Sequence, residues 1–305
     1  MGEIDAVRLN FNPASLVALN AILALVLFGV ALDMRPADFK GIGSAPKATV
    51  IGLLGQFLLL PAIAYGLASL LKPSPSIALG MILVAACPGG NISNFLTHHA
   101  RGNTALSITI SAFSTIGSLL FTPFNLSFWG ALNPDTRAIL HAVALSPFEV
   151  LLAIVFLLGV PAALGMTVAH RWPAFAQRAH KPFKRLSLVV FGLFIVSALA
   201  ANWSYFLQYV GRVVGVVFLM NGLGLAVGYW SARLAGPPEY DRRAVAMEVG
   251  IQNSGFGLVL VFDFFGGNGG MAIVAAWWGI WHIVSGLALA QWFRRSPAPI
   301  PERAA

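Results

Sequence analysis

Nine long apolar runs constrain this chain more than any other feature of its sequence. Each has roughly 18–27 residues, enough for an α-helix to cross a hydrocarbon core of about 30 Å. The loops between them are short, so the sequence predicts a single all-α polytopic membrane domain. The predicted spans are Ser15–Leu32, Ala48–Leu71, Ser76–Thr97, Thr104–Gly130, Phe148–Ala169, Leu186–Val210, Val213–Leu234, Ala244–Phe265 and Met271–Phe293.

Composition and charge exclude the main soluble alternatives. Only 10% of the 305 residues are charged and the mean hydropathy is +0.79, whereas a soluble domain has about 25% charged residues. The net charge of +8 does not indicate nucleic-acid binding, because the charges lie in short loops beside apolar runs. The single cysteine, Cys87, excludes an intrachain disulfide and a multi-cysteine metal site.

The positive charges predict the orientation of the chain. If the loop after the first span is cytoplasmic, 15 of the 19 lysines and arginines lie inside and 4 outside. The positive-inside rule then places the N-terminus outside and the C-terminus in the cytoplasm, in a plasma (inner) membrane. The basic loop Arg171–Arg185 is the strongest anchor, and we prefer this topological role to an amphipathic lipid-binding one. The Pro/Ala-rich tail, 296–305, is expected to be disordered.

Two spans are interrupted at matching places. Pro88-Gly89-Gly90 cannot continue a regular helix comfortably, and the eighth span holds a polar cluster around Asn253. Gly90 lies 75 residues after the start of span 1, and Asn253 lies 67 residues after the start of span 6. Paired breaks in inverted halves mark a transporter site near the bilayer midplane. The halves are 15–130 and 186–293, joined by 148–169.

Glu248 is the most informative single residue. A carboxylate within a span is unfavourable by a few kcal/mol or more, and every lysine and arginine lies in a loop or at a span edge. Glu248 is therefore protonated, paired with His282, or neutralised by a bound cation. Neutral oxygen donors in the same spans favour the cation, because hard cations prefer oxygen ligands. These donors are Gln56, Ser93, Asn94, Ser107, Ser111 and Gln252.

A single carboxylate suits a monovalent cation such as Na⁺, since a Ca²⁺ site usually holds more carboxylates. Ser107 and Ser111 are four residues apart and share one helix face. The alternative is that these polar groups only hydrogen-bond helices together. A half-helix starting near Asn91 would direct its positive end toward an anion, with Asn253 and His282 as nearby polar groups. His282 could equally be a histidine satisfied within the bundle.

The chain resembles the bile acid:sodium symporter family over nearly its whole length. The segments that carry the resemblance are MRPADF (Met34–Phe39), CPGGNISN (Cys87–Asn94), RGNTALSITISAFST (Arg101–Thr115), EVGIQNSG (Glu248–Gly255) and WHIVSG (Trp281–Gly286). The resemblance implies a core of spans 2–4 and 7–9 that moves against a panel of spans 1, 5 and 6.

The resemblance also implies two sodium sites and a substrate cavity. One sodium site would use Ser93, Asn94, Ser107, Ser111 and Glu248. The other would use Gln56, Glu248, Gln252 and the backbone carbonyls of Val249 and Ile251. The substrate cavity would lie near Asn91, Asn253 and His282. Threonine is frequent in the family at the positions of Asn91 and Ser111, and the resemblance implies that the first half, 15–130, lacks one helix that many bacterial relatives have.

The sequence thus predicts a sodium-coupled symporter that imports an organic anion by alternating access, with no cofactor besides the coupling ion. The substrate would be a bile-acid-like sterol or, preferably, a small carboxylate. A proton-coupled carrier with a titrating Glu248 is the main alternative. An intramembrane enzyme using Ser93 or Cys87 with His282 is remote, because no nucleophile motif is present. A sensor is disfavoured because no signalling domain is attached.

Overall fold

The fold is built from helices throughout the part of the chain that can be described. The computed structural model describes residues 3–7, 13–32, 45–90, 92–142, 152, 155–296 and 298. The helices are α1 Glu3–Ala6, α2 Pro13–Ala31, α3 Pro46–Leu71, α4 Pro75–Ala86, α5 Ile92–His99, α6 Thr104–Leu132, α7 Pro134–Ala142, α8 Val155–Arg171, α9 Pro173–Ala201, α10 Trp203–Ala235, α11 Glu239–Gly250, α12 Ser254–Phe265 and α13 Gly269–Arg294.

Among the described residues, four helices are long and apolar enough to cross a membrane. These are α3, α6, α10 and α13, and a fifth span results if α8 is joined across its 120° bend to the start of α9. At 1.5 Å per residue, the 26 residues of α3 extend about 39 Å, more than the hydrocarbon core requires. The predicted all-α fold is confirmed for the described residues, whereas the count of nine spans stays a prediction.

Helix ends follow from local sequence chemistry. Proline occupies the first turn of α3 and α4, where its missing N–H leaves no helical hydrogen bond unmade. At the other end, Lys72 closes α3 and Gly236 closes α10 in left-handed conformations, with φ of 46° and 96°. These features produce the short connections that bring successive helices back against each other.

The predicted boundary between spans 6 and 7 is wrong. We expected a loop at residues 211–212, but α9 ends at Ala201 and α10 runs without interruption from Trp203 to Ala235. A Cβ at Gly211 would meet nothing within 4 Å, so this glycine lies on an open face of the helix. The guanidinium of Arg212 stacks 5.3 Å from the Tyr209 ring. Loop-like residues are therefore accommodated on the outside of α10.

The helices pack in two groups. One contains α3 to α6 together with α10 to α13, in which α10 packs along α11 and α4 lies between α3, α6 and α13. The other contains α2, which packs against α8 and α9. Both interrupted spans belong to the first group, and residues 76–87 are buried throughout. The interruptions therefore lie in the interior of the protein, away from lipid.

Some sequence predictions fall outside the described residues. These are the segment MRPADF at 34–39, most of the first part of span 5, and Asn91. Of the predicted tail, Ser296 lies at the end of α13 and accepts a hydrogen bond from Arg243 through its carbonyl at 3.1 Å. Except for residue 298, the rest of that tail is outside the described residues.

Candidate functional site at the helix crossing

The two interrupted spans meet at their breaks. The amide of Gly90 donates to the carbonyl of Ile251 at 2.8 Å, and the amide of Asn253 donates to the carbonyl of Pro88 at 2.9 Å. Gly89 and Gln252 thereby form an antiparallel bridge. Each extended peptide satisfies backbone groups of the other, as non-helical backbone must inside a membrane protein. A Cβ on Gly90 would lie 2.9 Å from the Gln252 carbonyl oxygen, so this approach requires glycine.

A new half-helix begins on each side of the crossing. Helix α5 starts at Ile92 and α12 starts at Ser254. The Asn253 side chain caps α12 by accepting a hydrogen bond from the Phe256 amide at 3.1 Å. Helix N-termini carry partial positive charge, so two such ends lie close to the paired breaks.

Glu248 lies next to the crossing, at the end of α11, with no solvent exposure. Three serine hydroxyls donate to its carboxylate. Ser93 and Ser107 each reach Oε1 at 2.5 Å, and Ser111 lies 3.0 Å from Oε1 and 2.9 Å from Oε2. Ser107 and Ser111 both reach the carboxylate from α6, which confirms that they share one face of that helix.

Two further polar groups extend this cluster. Thr97 donates to the Ser107 hydroxyl at 3.2 Å. Asn94, one residue after Ser93, has a buried Oδ1 with no hydrogen-bond partner among the described residues. A buried oxygen without a donor is unfavourable by about 1–3 kcal/mol, so Asn94 retains an oxygen that could bind a ligand.

No described residue forms an ion pair with Glu248, so the structure does not support pairing with His282, one of the three interpretations that the sequence left open. Every hydrogen bond of the Glu248 carboxylate goes to α5 or α6, because Glu248 stands on the face of α11 that packs against these helices. His282 lies on α13, with its Nδ1 buried and without a hydrogen-bond partner among the described residues. Two of the three interpretations of Glu248 are left, protonation or a bound cation.

A second polar cluster adjoins the first. Gln56 donates to the Cys87 carbonyl at 2.7 Å and to Gln252 Oε1 at 2.6 Å, while Gln252 donates to Gln56 Oε1 at 3.2 Å and to the Val249 carbonyl at 2.8 Å. Both side chains are completely buried. Gln56 projects from a π-helical segment of α3, Gly55–Leu59, a distortion frequent at functional sites.

Gly89 shows how close the two clusters are. A Cβ added at this residue would lie 3.1 Å from Glu248 Oε2 and 3.8 Å from Gln56 Oε1. The Ile251 carbonyl, also predicted as a ligand, accepts the Gly90 amide of the bridge. A carbonyl oxygen has a second lone pair, so this bond does not prevent a further interaction.

Two of the three predicted substrate residues, Asn253 and His282, lie among the described residues. Asn253 is half-buried and caps α12, His282 is 6% exposed, and no hydrogen bond joins the two side chains among the described residues. Asn91 lies outside the described residues. The structure thus brings the predicted ion-binding residues into two joined clusters, whereas no hydrogen bond links the two described substrate residues.

The sequence interpretation missed three polar residues around the crossing. Ser114 accepts a hydrogen bond from the Gly89 amide at 2.9 Å, Asn221 donates to the Gly250 carbonyl at 2.8 Å, and Ser285 donates to Asn221 at 2.5 Å. Ser114 could have been found because it lies one turn beyond Ser111. Asn221 interrupts the apolar run VVGVVFLMNGLGLAV, and this interruption could have identified it from the sequence.

This arrangement defines a class of protein. Apolar helices, two interrupted and crossing at buried polar clusters, characterise integral membrane proteins that move small solutes. The chain belongs to the Sodium Bile acid symporter family, whose defining pattern matches residues 20–209. The family resemblance predicted above is confirmed.

Similar proteins agree with this assignment. The chain is 30% identical to the "Uncharacterized sodium-dependent transporter YocS" of Bacillus subtilis, over 90% of this chain and 82% of that protein. It is 28% identical to the "Probable sodium/metabolite cotransporter BASS2, chloroplastic" of Oryza sativa, over 92% of this chain and 65% of that protein.

A mammalian relative is also similar. The "Ileal sodium/bile acid cotransporter" of Oryctolagus cuniculus is 30% identical over 80% of this chain and 70% of that protein. These relatives are sodium-dependent transporters and cotransporters, not enzymes. The prediction that the chain is a transporter without enzymatic activity is confirmed, and the intramembrane-enzyme alternative is removed.

Proposed function

We propose that this protein is a secondary active symporter, in which sodium influx drives uptake of an organic anion by alternating access. The observation that carries the proposal is Glu248, a completely buried carboxylate that accepts three serine hydroxyls and forms no ion pair with a described residue. A buried charge needs a compensating charge. A cation that arrives and leaves during transport would supply it.

The first sodium site uses Ser93, Asn94, Ser107, Ser111 and Glu248. Its ligands would be hydroxyl, amide and carboxylate oxygens, the type that hard cations prefer. Among the described residues no three His, Cys, Asp or Glu side chains form a group able to hold a metal. A cluster with one carboxylate and neutral oxygens favours a monovalent ion.

The second sodium site uses Gln56, Gln252, Glu248 and the carbonyls of Val249 and Ile251. Glu248 would serve both sites, since Oε1 accepts Ser93 and Ser107 while Oε2 lies on the side of Gly89 that also faces Gln56. An ion at either site would then favour the ionised, ordered carboxylate that the other site needs. This sharing gives a physical reason for cooperative sodium binding.

The substrate site lies near Asn91, Asn253 and His282. The half-helix ends at Ile92 and Ser254 suit a carboxylate or another anionic group. The relatives include a bile acid cotransporter and a metabolite cotransporter, so both a bile-acid-like sterol and a small carboxylate are candidates. We favour a small keto or hydroxy acid.

The proposed membrane arrangement has nine spans in two inverted halves, an external N-terminus and a cytoplasmic C-terminus. The core would contain α3 to α6 and α10 to α13, and the panel α2, α8 and α9, because helices pack preferentially within these groups. Sliding of the core past the panel would expose the crossing to one side of the inner membrane and then to the other.

The test is sodium-specific stabilisation of the purified protein. Its melting temperature is measured while NaCl replaces KCl at constant ionic strength. A ligand that binds only the folded state at 100 times its Kd stabilises by about 2.7 kcal/mol. Sodium should therefore raise the melting temperature of the wild type, and an anion screen run in both salts should reveal substrates that bind better in sodium.

Glu248→Gln should abolish the sodium response, because it removes the only carboxylate of both proposed sites. Glu239→Gln is the matched control, since it makes the same change on the same helix where Glu239 pairs with Arg242 and Arg243. A Glu248→Gln variant that retains the full sodium response contradicts the proposal. Uptake driven by a pH gradient without sodium would instead support the proton-coupled alternative.

A further inference from the structure

Both breaks are closed by a side-chain amide from the preceding long helix. In the first half, Gln56 of α3 donates to the carbonyl of Cys87, where α4 has just ended. In the second half, Asn221 of α10 donates to the carbonyl of Gly250, the last residue of α11. The sequence separations are 31 and 29 residues. The two halves of the protein thus solve the same structural problem in the same way.

The problem is an unsatisfied carbonyl inside a membrane. A helix that stops leaves its last carbonyl groups without intrahelical donors, and no water is present in the bilayer core to replace them. If the Gly250 carbonyl found no donor, the chain would gain a backbone hydrogen bond by extending α11 toward Ser254. The bond from Asn221 removes that gain and keeps residues 251–253 extended.

Asn221 is itself held in place. It is completely buried, and the Ser285 hydroxyl of α13 donates to its Oδ1 at 2.5 Å. Gly224, one turn further along α10, lies against the backbone of Gly250, since a Cβ there would be 3.5 Å from the Gly250 Cα. The amide therefore connects α10, α11 and α13 at one point beside the break.

This connection bears on the residues that precede and follow Gly250. Glu248 and Val249 occupy the last turn of α11, and Ile251 occupies the extended peptide that pairs with Gly90. The position of each depends on where α11 ends. Asn221 contacts neither Glu248 nor the Gln56–Gln252 pair among the hydrogen bonds of the described residues, so it acts through the backbone.

We infer that Asn221 is a positioning residue for sodium binding, which with Ser285 fixes the end of α11 so that Glu248 and the Val249 and Ile251 carbonyls face the ions. This inference rests on the proposed function. In the second half of the chain, Asn221 has a role equivalent to the hydrogen bond from Gln56 to the Cys87 carbonyl in the first half. Asn221 itself would not contact an ion.

The experiment is a sodium titration of melting temperature with Asn221→Leu, which keeps the side-chain size and removes the amide. Thr136→Val is the matched control, because Thr136 is also completely buried and donates to a backbone carbonyl, that of Gly130, at 2.6 Å. Both variants should melt at lower temperature in potassium. Only Asn221→Leu should raise the sodium concentration for half-maximal stabilisation, by about five- to tenfold, the equivalent of one lost hydrogen bond.

Ser285→Ala provides a milder second variant that keeps the bond from Asn221 to Gly250. It should raise the half-maximal sodium concentration by about two- to threefold, because the amide is less firmly held. If Asn221→Leu and Ser285→Ala titrate like Thr136→Val while the wild type responds to sodium, the inference is overturned and the proposed function stands. If the wild type shows no sodium-specific response, both are overturned.

Discussion

Gly89→Ala tests the proposed ion sites with a single methyl group. Gly89 lies in the extended peptide of the first break, and its φ is not in the left-handed region, so alanine is compatible with its backbone. The new Cβ would lie 3.1 Å from Glu248 Oε2, whereas ordinary contacts begin at 3.4 Å. The carboxylate oxygen must therefore withdraw by about 0.3 Å, the difference between these two distances.

The size of the effect follows from that displacement. An oxygen about 2.4 Å from a cation, as for Ca²⁺, attracts a unit charge by about 6.9 kcal/mol at an effective dielectric constant of 20. At about 2.7 Å the attraction is about 6.1 kcal/mol. The loss of about 0.8 kcal/mol corresponds to roughly fourfold weaker binding at one site. If both sites depend on Glu248, the half-maximal sodium concentration rises by at least this roughly fourfold factor.

The assay is the sodium titration of melting temperature, with potassium replacing sodium at constant ionic strength. Gly66→Ala is the control, because Gly66 lies in α3 where a Cβ would meet nothing within 4 Å. We expect Gly66→Ala to titrate like the wild type. If Gly89→Ala also titrates like the wild type, Glu248 Oε2 is not an ion ligand and the reasoning fails.

Three further outcomes are expected in the same assay. Ser111→Thr should keep the wild-type sodium midpoint and Ser111→Val should raise it about tenfold or more, because only valine removes the hydroxyl that contacts Glu248 and hydrogen bonds to charged groups contribute about 1.5–3 kcal/mol. Arg243→Gln should lower the melting temperature equally in sodium and potassium without moving the midpoint. Its buried guanidinium donates to the Ala100 carbonyl at 2.9 Å, and a buried carbonyl left without its donor is unfavourable by about 1–3 kcal/mol. Gly228→Ala should also lower stability in both salts, since its Cβ would lie 2.8 Å from the Val245 carbonyl oxygen and would separate α10 from α11.

The serine pair and Glu248 show how far local sequence reasoning reaches. The spacing of Ser107 and Ser111 follows from helix geometry alone, and both hydroxyls do contact one carboxylate. The buried position of Glu248 follows from the apolar sequence around it. The breaks at Pro88–Gly90 and near Asn253 follow from the poor fit of these residues to a helix, and the half-helix expected near Asn91 begins at Ile92.

One error, and one choice that the sequence left open, depended on long-range packing. Gly211 and Arg212 have the character of a loop, yet α10 continues through them because the glycine faces open space and the arginine stacks on Tyr209. The pairing of Glu248 with His282 was one of three interpretations that the sequence left open. Packing of α11 against α5 and α6 directs the carboxylate to serines instead.

The sequence by itself determined that the chain is a helical membrane protein, where two of its helices break, and which buried carboxylate lacks a lysine or arginine nearby. These properties depend on hydrophobicity and backbone preference, which neighbouring residues set. Only the tertiary structure decided that the two breaks pair with each other, that Gln56 meets Gln252, and that Asn221 closes the Gly250 carbonyl. These contacts join residues 29 to 196 positions apart, and their geometry is fixed by how whole helices pack.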